Sequence, residues 1–300
     1  NVTGSSDTAN GKWSYTYDSL NRLSPTSSAA GLNLAWSYDS FGNRKTQTAS
    51  GSGSAPQISL SFTGNTNRVD SSDGVSYDAA GHMTLDNRGQ SYTYDAEGRI
   101  TAAFWGKTLL AVYEYNSEGD LVYENGSNGQ RVFQRDLNGQ PVWSYTPSGG
   151  TGLPAETEVY ADDWIGAWED GSFFFVGKDW IGTKRYELPG QGGSPSEATP
   201  RTDYSSSYTS LPFGDNLSSI GLDSTHFTGK ERDAESGLDY FGARYYSSSM
   251  GRFMSPDPSG LYFAAPENPQ TLNLSSYVGN SPLYYTDPSG LYACSPAPAG

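Results

Sequence analysis

Two identical pentapeptides, Asp257-Pro258-Ser259-Gly260-Leu261 and Asp287-Pro288-Ser289-Gly290-Leu291, are where side-chain type and spacing in this 300-residue chain come nearest to chemistry. By composition alone each reads as a type I turn. Asp at the first position accepts from backbone amides, Pro presets φ at the second, and Gly closes the corner at the fourth. Other candidates are thinner. Glu156 and Glu158 suggest the acid pair of a glycoside hydrolase, but alternating acids on a strand usually face solvent. Cys294 is the only cysteine. It excludes an intrachain disulfide and a thiolate-rich metal cluster, and it reads as a spacer rather than a nucleophile. His82 and His226 are the only histidines, which excludes a His-rich metal site. Both read as surface or satisfied polar residues. No metal and no cofactor is expected.

The elements that must position these residues are strands. The chain carries 22 Tyr, 7 Trp and 36 Gly, a mix that favours pleated sheets with aromatic faces and many tight turns. Tyr92-Thr93-Tyr94 alternates aromatic and polar, the period of a half-buried strand. Asp95 and Gly98 then stand at the first and fourth positions of a turn, and Arg99-Ile100 begins the return. The D-x-x-G spacing recurs at Asp39–Gly42, Asp78–Gly81, Asp86–Gly89, Asn116–Gly119, Asp136–Gly139, Asp163–Gly166 and Asp179–Gly182. Asp18-Ser19-Leu20-Asn21 is a variant ending in Asn. Turn glycines are therefore expected at Gly42, Gly81, Gly98, Gly119, Gly139, Gly166 and Gly182. Such a repeat points to stacked strands, each unit burying its face on the next. Residues 43–75 break the rhythm, and Ala49 to Ser54 reads as a floppy excursion.

Net charge is −15, which argues against a basic face for nucleic acid. No apolar run approaches the roughly 18 residues of a membrane helix. The chain begins at Asn1, and the nine residues after Leu291 are too few for a further domain. It reads as a fragment or a processed piece.

Tyr94-Asp95-Ala96-Glu97-Gly98-Arg99-Ile100, with Tyr17-Asp18, Tyr38-Asp39 and Tyr77-Asp78, resembles the YD repeat of RHS-repeat proteins. That family includes bacterial polymorphic toxins, toxin-complex C components and teneurins. Leu211-Pro212-Phe213-Gly214 looks like its PFG element. The RHS-associated core is matched more tightly, by His226-Phe227-Thr228-Gly229-Lys230-Glu231, Gly237 through Tyr246, Gly251 through Pro258, and Tyr277 through Pro282. The resemblance implies an all-β fold: a spiralling antiparallel strand-turn-strand ribbon of YD repeats, forming a partial hollow shell or barrel-like wall, that ends in an RHS-associated core. It divides the chain into a ribbon (1–187), a Gly/Pro/Ser-rich linker (188–220), the core (221–291) and a tail (292–300).

The resemblance also implies chemistry. In toxin-bearing members, paired DPxGL motifs form an intramolecular aspartyl protease that cuts after the second motif. Carried over, Asp257 and Asp287 are the carboxylate pair and Leu291-Tyr292 the scissile bond, with Arg244 and Arg252 in support. Two close carboxylates cannot both ionise cheaply and so share a proton. Tyr262 to Thr286 is longer than the family's usual spacer, and Ser247 stands where the family usually has Asp. The implied partner is a downstream toxin polypeptide in cis, with other copies or upstream repeats joining through edge strands. The expected location is secreted or at a bacterial cell surface. The alternative reading is a structural or adhesion module without proteolysis.

Overall fold

The structure, a computed structural model, describes residues 1–64, 66–127, 129–136, 139, 141–145, 156–161, 163–169, 172–190, 206–215, 225–262, 264–265 and 268–294. Among these it is nearly all β. Six strands, from Gly4–Asp7 to Ile58–Ser59, pair antiparallel in chain order. Thirteen more, from Ser76–Tyr77 to Ser206–Ser207, do the same. A four-stranded sheet follows, built from Glu231–Arg232, Asp239–Tyr240, Tyr245–Ser247 and Arg252–Phe253.

Alternation builds the strands. In Gly11–Tyr17, Trp13 and Tyr15 are buried while Lys12, Ser14 and Thr16 are exposed. In Gln90–Tyr94, Tyr92 is buried and Thr93 exposed. Each buried ring favours that face by about 1.5–3 kcal/mol.

The corners explain the repeat. Asp95 N donates to Arg99 O at 3.0 Å, and Gly98 N to Asp95 O at 3.2 Å. Asp95 Oδ1 accepts from the amides of Glu97 and Arg99, and Oδ2 from Arg99 Nε at 2.7 Å. Gly98 closes the turn at φ +82°, where a side chain is strained. The tyrosine before the corner then ties units together. Tyr17, Tyr38 and Tyr115 hydroxyls donate to the carbonyls of Val2, Leu23 and Ile100, each in the preceding unit. The Arg22 and Arg99 guanidinium groups lie over the rings of Tyr38 and Tyr115, at 4.8 and 4.9 Å.

Gly42, Gly81, Gly119, Gly139 and Gly182 share the positive φ of Gly98; Leu137 and Asn138 lie outside the described residues. Gly166 does not. It lies inside the strand Asp163–Glu169, paired with Val159 on one side and Phe175 on the other. The chain reverses instead between Ala161 and Asp163. At Gly166 smallness is what matters, because a Cβ would meet Phe174 O and the Phe173 ring.

Four other expectations change. Ala49–Gly51 belongs to the strand Arg44–Gly51, held by Leu34↔Ala49 and Leu32↔Gly51 pairing, so the Gly/Ser run starts later than expected. Within residues 188–220, expected as a linker, Tyr208, Leu211, Phe213 and Asp215 are buried. Glu158 is buried rather than solvated, and accepts from Thr225 Oγ1 at 3.3 Å; the Glu156 side chain lies outside the described residues. His226 is buried too, and burial pushes its pKa down to about 3.

The core segment packs on both sheets. Trp13, Leu34 and Trp36 of the first meet Phe213, Phe241, Tyr246, Phe253 and Tyr277. Met83, Tyr92 and Tyr113 of the second meet Leu238, Tyr240, Tyr245 and Met254. Among the described residues no helix is long and apolar enough to cross a membrane.

Candidate functional site

The second pentapeptide forms a closed loop. Thr286 and Cys294 exchange both backbone hydrogen bonds at 2.8 Å, so residues 287–293 bow out between them. Inside the bow the amides converge on one oxygen. Asp287 Oδ1 accepts from the N–H groups of Ser289 (3.3 Å), Gly290 (2.7 Å), Leu291 (3.1 Å) and Tyr292 (3.3 Å). Successive amides turned inward make a concave anion nest. The carbonyls point the other way. Lys230 Nζ donates to Pro288 O at 2.5 Å, Ala243 N to Ser289 O at 3.0 Å, and Arg244 Nε to Gly290 O.

The first pentapeptide has the same residues and a looser seat. Asp257 Oδ1 accepts from Ser259 N at 2.8 Å and Ser259 Oγ at 2.6 Å. Beyond the corner the chain is open: Leu261 is 61% exposed and Tyr262 82%. A Cβ on Gly260 would meet nothing within 4 Å, whereas one on Gly290 would press on Phe241 O and Arg244 N at 2.9 and 3.2 Å.

Arg244 joins the two motifs. Its Nη2 lies 3.3 Å from Asp257 Oδ2 and 3.5 Å from Asp287 Oδ2. Its Nη1 donates to Leu274 O at 2.8 Å, and its guanidinium carbon sits 3.7 Å from the Phe253 ring centroid. Burial pulls this guanidinium down to about 10, opposed by both aspartates. Burial also raises the Asp287 carboxyl above the usual range, against the pull of Arg244 and the loop amides. Asp257, Asp287, Arg244, Leu291 and Tyr292 line one cavity of about 480 Å³. On the far side of the loop lies a cavity of about 850 Å³, between Lys230, Gly242 and Pro288 and the repeat corners at Glu97, Gly119 and Gly182.

The structure thus brings together Asp257, Asp287, Arg244, Leu291 and Tyr292. It does not bring Arg252. Arg252 Nη2 donates to Asn67 O at 2.5 Å, and its guanidinium lies over the Phe62 ring at 5.2 Å. The reason is strand alternation: Arg252 pairs across to Ser247, on the opposite strand end from Arg244. Ser247 is buried and bonded to Ser249 Oγ.

Sequence reasoning missed Lys230, which sits in the same tightly spaced run as His226 and Glu231. It also missed a second acidic group. Oxygens of Glu124, Asp233 and Glu235 lie within 4.8 Å of one another where the loop after Arg232 meets the strand Leu121–Gly126. No local pattern marks it, because Glu124 stands about a hundred residues before Asp233 and Glu235.

No family model matches the chain. It is similar to the tRNA3(Ser)-specific nuclease WapA of Bacillus spizizenii, 26% identical over 91% of this chain and 12% of the relative. It is also similar to toxin subunit YenC2 of Yersinia entomophaga, 46% identical over 22% of this chain and 6% of the relative. Among solved structures, the Photorhabdus luminescens Tc holotoxin pore matches with a TM-score of 0.70 at 20% identity, over 97% of this chain and 16% of that one. The TcdB2–TccC3 complex matches with a TM-score of 0.68 at 19% identity, over 94% and 16%. The chain therefore spans a small fraction of the relatives it matches, and it shares the antiparallel fold of those Tc structures.

Proposed function

We propose, from the premise that this chain is a relative of RHS and Tc-toxin proteins, that it is part of an RHS-type shell around a polypeptide toxin. On this reading it severs the chain to the toxin by one intramolecular aspartyl cleavage between Leu291 and Tyr292. The observation that carries the reading is the convergence of both aspartates on Arg244 while the Tyr292 amide rests on Asp287.

The roles follow from environment. Asp257 is the less enclosed carboxylate, with 12% of its side chain exposed against 4% for Asp287. It takes a proton from a water that attacks the Leu291 carbonyl. The two carboxyls share one further proton, and as the C–N bond breaks it passes to the Tyr292 nitrogen, which lies beside Asp287. Water adds across the bond, leaving a Leu291 carboxyl and a Tyr292 amine. Arg244 compensates the charge that the pair develops. The substrate is tethered, so a slow catalyst suffices for a single turnover. The partner is a toxin polypeptide in cis, and the setting is secreted or at a cell surface.

The test is a reporter domain fused after Gly300, with the products weighed by mass spectrometry. Separation between Leu291 and Tyr292 is expected in the parent. Asp257→Asn and Asp287→Asn should each slow it by roughly 10²–10⁴-fold. Processing that is unchanged in Asp287→Asn refutes the assignment.

A further inference from the structure

Two identical pentapeptides stand in this fold, yet one is seated far more closely than the other. The difference is what each loop leans on. The second loop presses on the segment Phe241–Arg244, with Ser289 O on Ala243 N and Gly290 O on Arg244 Nε. One side-chain contact completes the seat from a separate element: the Lys230 ammonium, which donates to Pro288 O at 2.5 Å and lies 5.7 Å from the Phe241 ring centroid. Lys230 follows the short 3₁₀ turn Phe227–Gly229, on the side of the loop away from Arg244. The loop is therefore held between two cations, Arg244 and Lys230. No equivalent contact holds Pro258 among the described hydrogen bonds.

We propose that Lys230 is a positioning residue which, by holding the Pro288 carbonyl, seats the second pentapeptide and aligns the Leu291–Tyr292 bond with Asp257 and Asp287. This rests on the cleavage reading above, and it explains why one copy is cut and its twin spared. The Lys230 ammonium touches neither the attacking water nor the scissile bond, so it acts through the loop. Misplacing a reacting bond by about an ångström costs on the order of 10²-fold in rate. Lys230 also faces Asp287 together with Arg244.

Two measurements separate the seat from the chemistry. In the Asp257→Asn background, where cleavage is slowed, hydrogen exchange at the amides of Gly290, Leu291 and Tyr292 in the uncut chain reports the seat alone. Lys230→Met should speed that exchange at least several-fold, and Lys230→Arg should not. In the reporter fusion, Lys230→Met should slow cleavage by roughly 10- to 100-fold. Lys230→Arg should retain most of the rate. Lys230→Ala should recover in ethylammonium but not in sodium at equal ionic strength. Unchanged exchange overturns the proposal, and so does faster exchange with an unchanged cleavage rate. A parent fusion that stays whole overturns the cleavage reading and the positioning role with it, while the exchange result still reports whether Lys230 seats the loop.

Discussion

At Gly290 a methyl group would have nowhere to go. The residue sits at φ +76°, and its missing Cβ points at Phe241 O and the Arg244 amide. Its twin Gly260 has a similar φ, +61°, but open space around it. Two costs are thus separable in one molecule. Gly260→Ala carries the backbone strain alone, about 1–2 kcal/mol. Gly290→Ala adds the clash and lifts the loop off Arg244. A thermal melt should show a small loss for the first and a clearly larger loss for the second, and only the second should slow release of a fused reporter. Sequence alone made the two motifs equal, since five identical residues carry identical turn chemistry. What distinguishes them, the Phe241–Arg244 backbone and the Lys230 side chain, arrives from more than forty residues away. Arg252 misled for the complementary reason: type and neighbourhood suited it to a carboxylate, but its strand position turned it to Asn67.

Between elements, the seam where the core meets the wall carries a charge problem. Glu124 faces Asp233 and Glu235, with Arg131 opposing and the Tyr113 hydroxyl donating to Asp233. Burial, then Asp233 and Glu235, push Glu124 up to about 10. A carboxyl raised in the folded state keeps its proton while the unfolded chain loses it. Its contribution is whole below pH 4.5 and drains away as pH rises toward 10. The slope is at most about 1.4 kcal/mol per pH unit. Glu124→Gln should flatten that decline, with a melting temperature that exceeds the parent's at pH 8–9 and not at pH 4. Strands and corners at this scale were legible, because alternation and the Asp-to-Gly spacing are local. The links between units were not. The reach of the Tyr115 hydroxyl to Ile100 O, and the Arg99 guanidinium over its ring, join residues that only the stacking of units brings together. Gly166 shows the limit of spacing: an Asp three residues before a Gly turns the chain only where the neighbours do not already pair it on both sides.

As a whole, the molecule should melt once. The C-terminal segment contributes to both apolar clusters, one shared with each large sheet. Each large sheet buries part of its aromatic face against it. Phe241, wholly buried among Tyr246, Phe253 and Tyr277, is the centre of one cluster. Phe241→Ala should cost about 3–5 kcal/mol. Tryptophan fluorescence and far-ultraviolet circular dichroism should shift together; separate transitions would mean that wall and core fold apart. The all-β class was legible from tyrosine, tryptophan and glycine content, whereas the joint burial was not, since it depends on where distant sheets lie.

The reciprocal bonds between Thr286 and Cys294 straddle the Leu291–Tyr292 junction. A cut there would leave a nick, not a departure: the new amino terminus stays latched by those two bonds, three residues downstream of the break. Severing and letting go would then be distinct events. A nicked species should run as two pieces on a denaturing gel while eluting as one on a sizing column, until something peels the latch strand away.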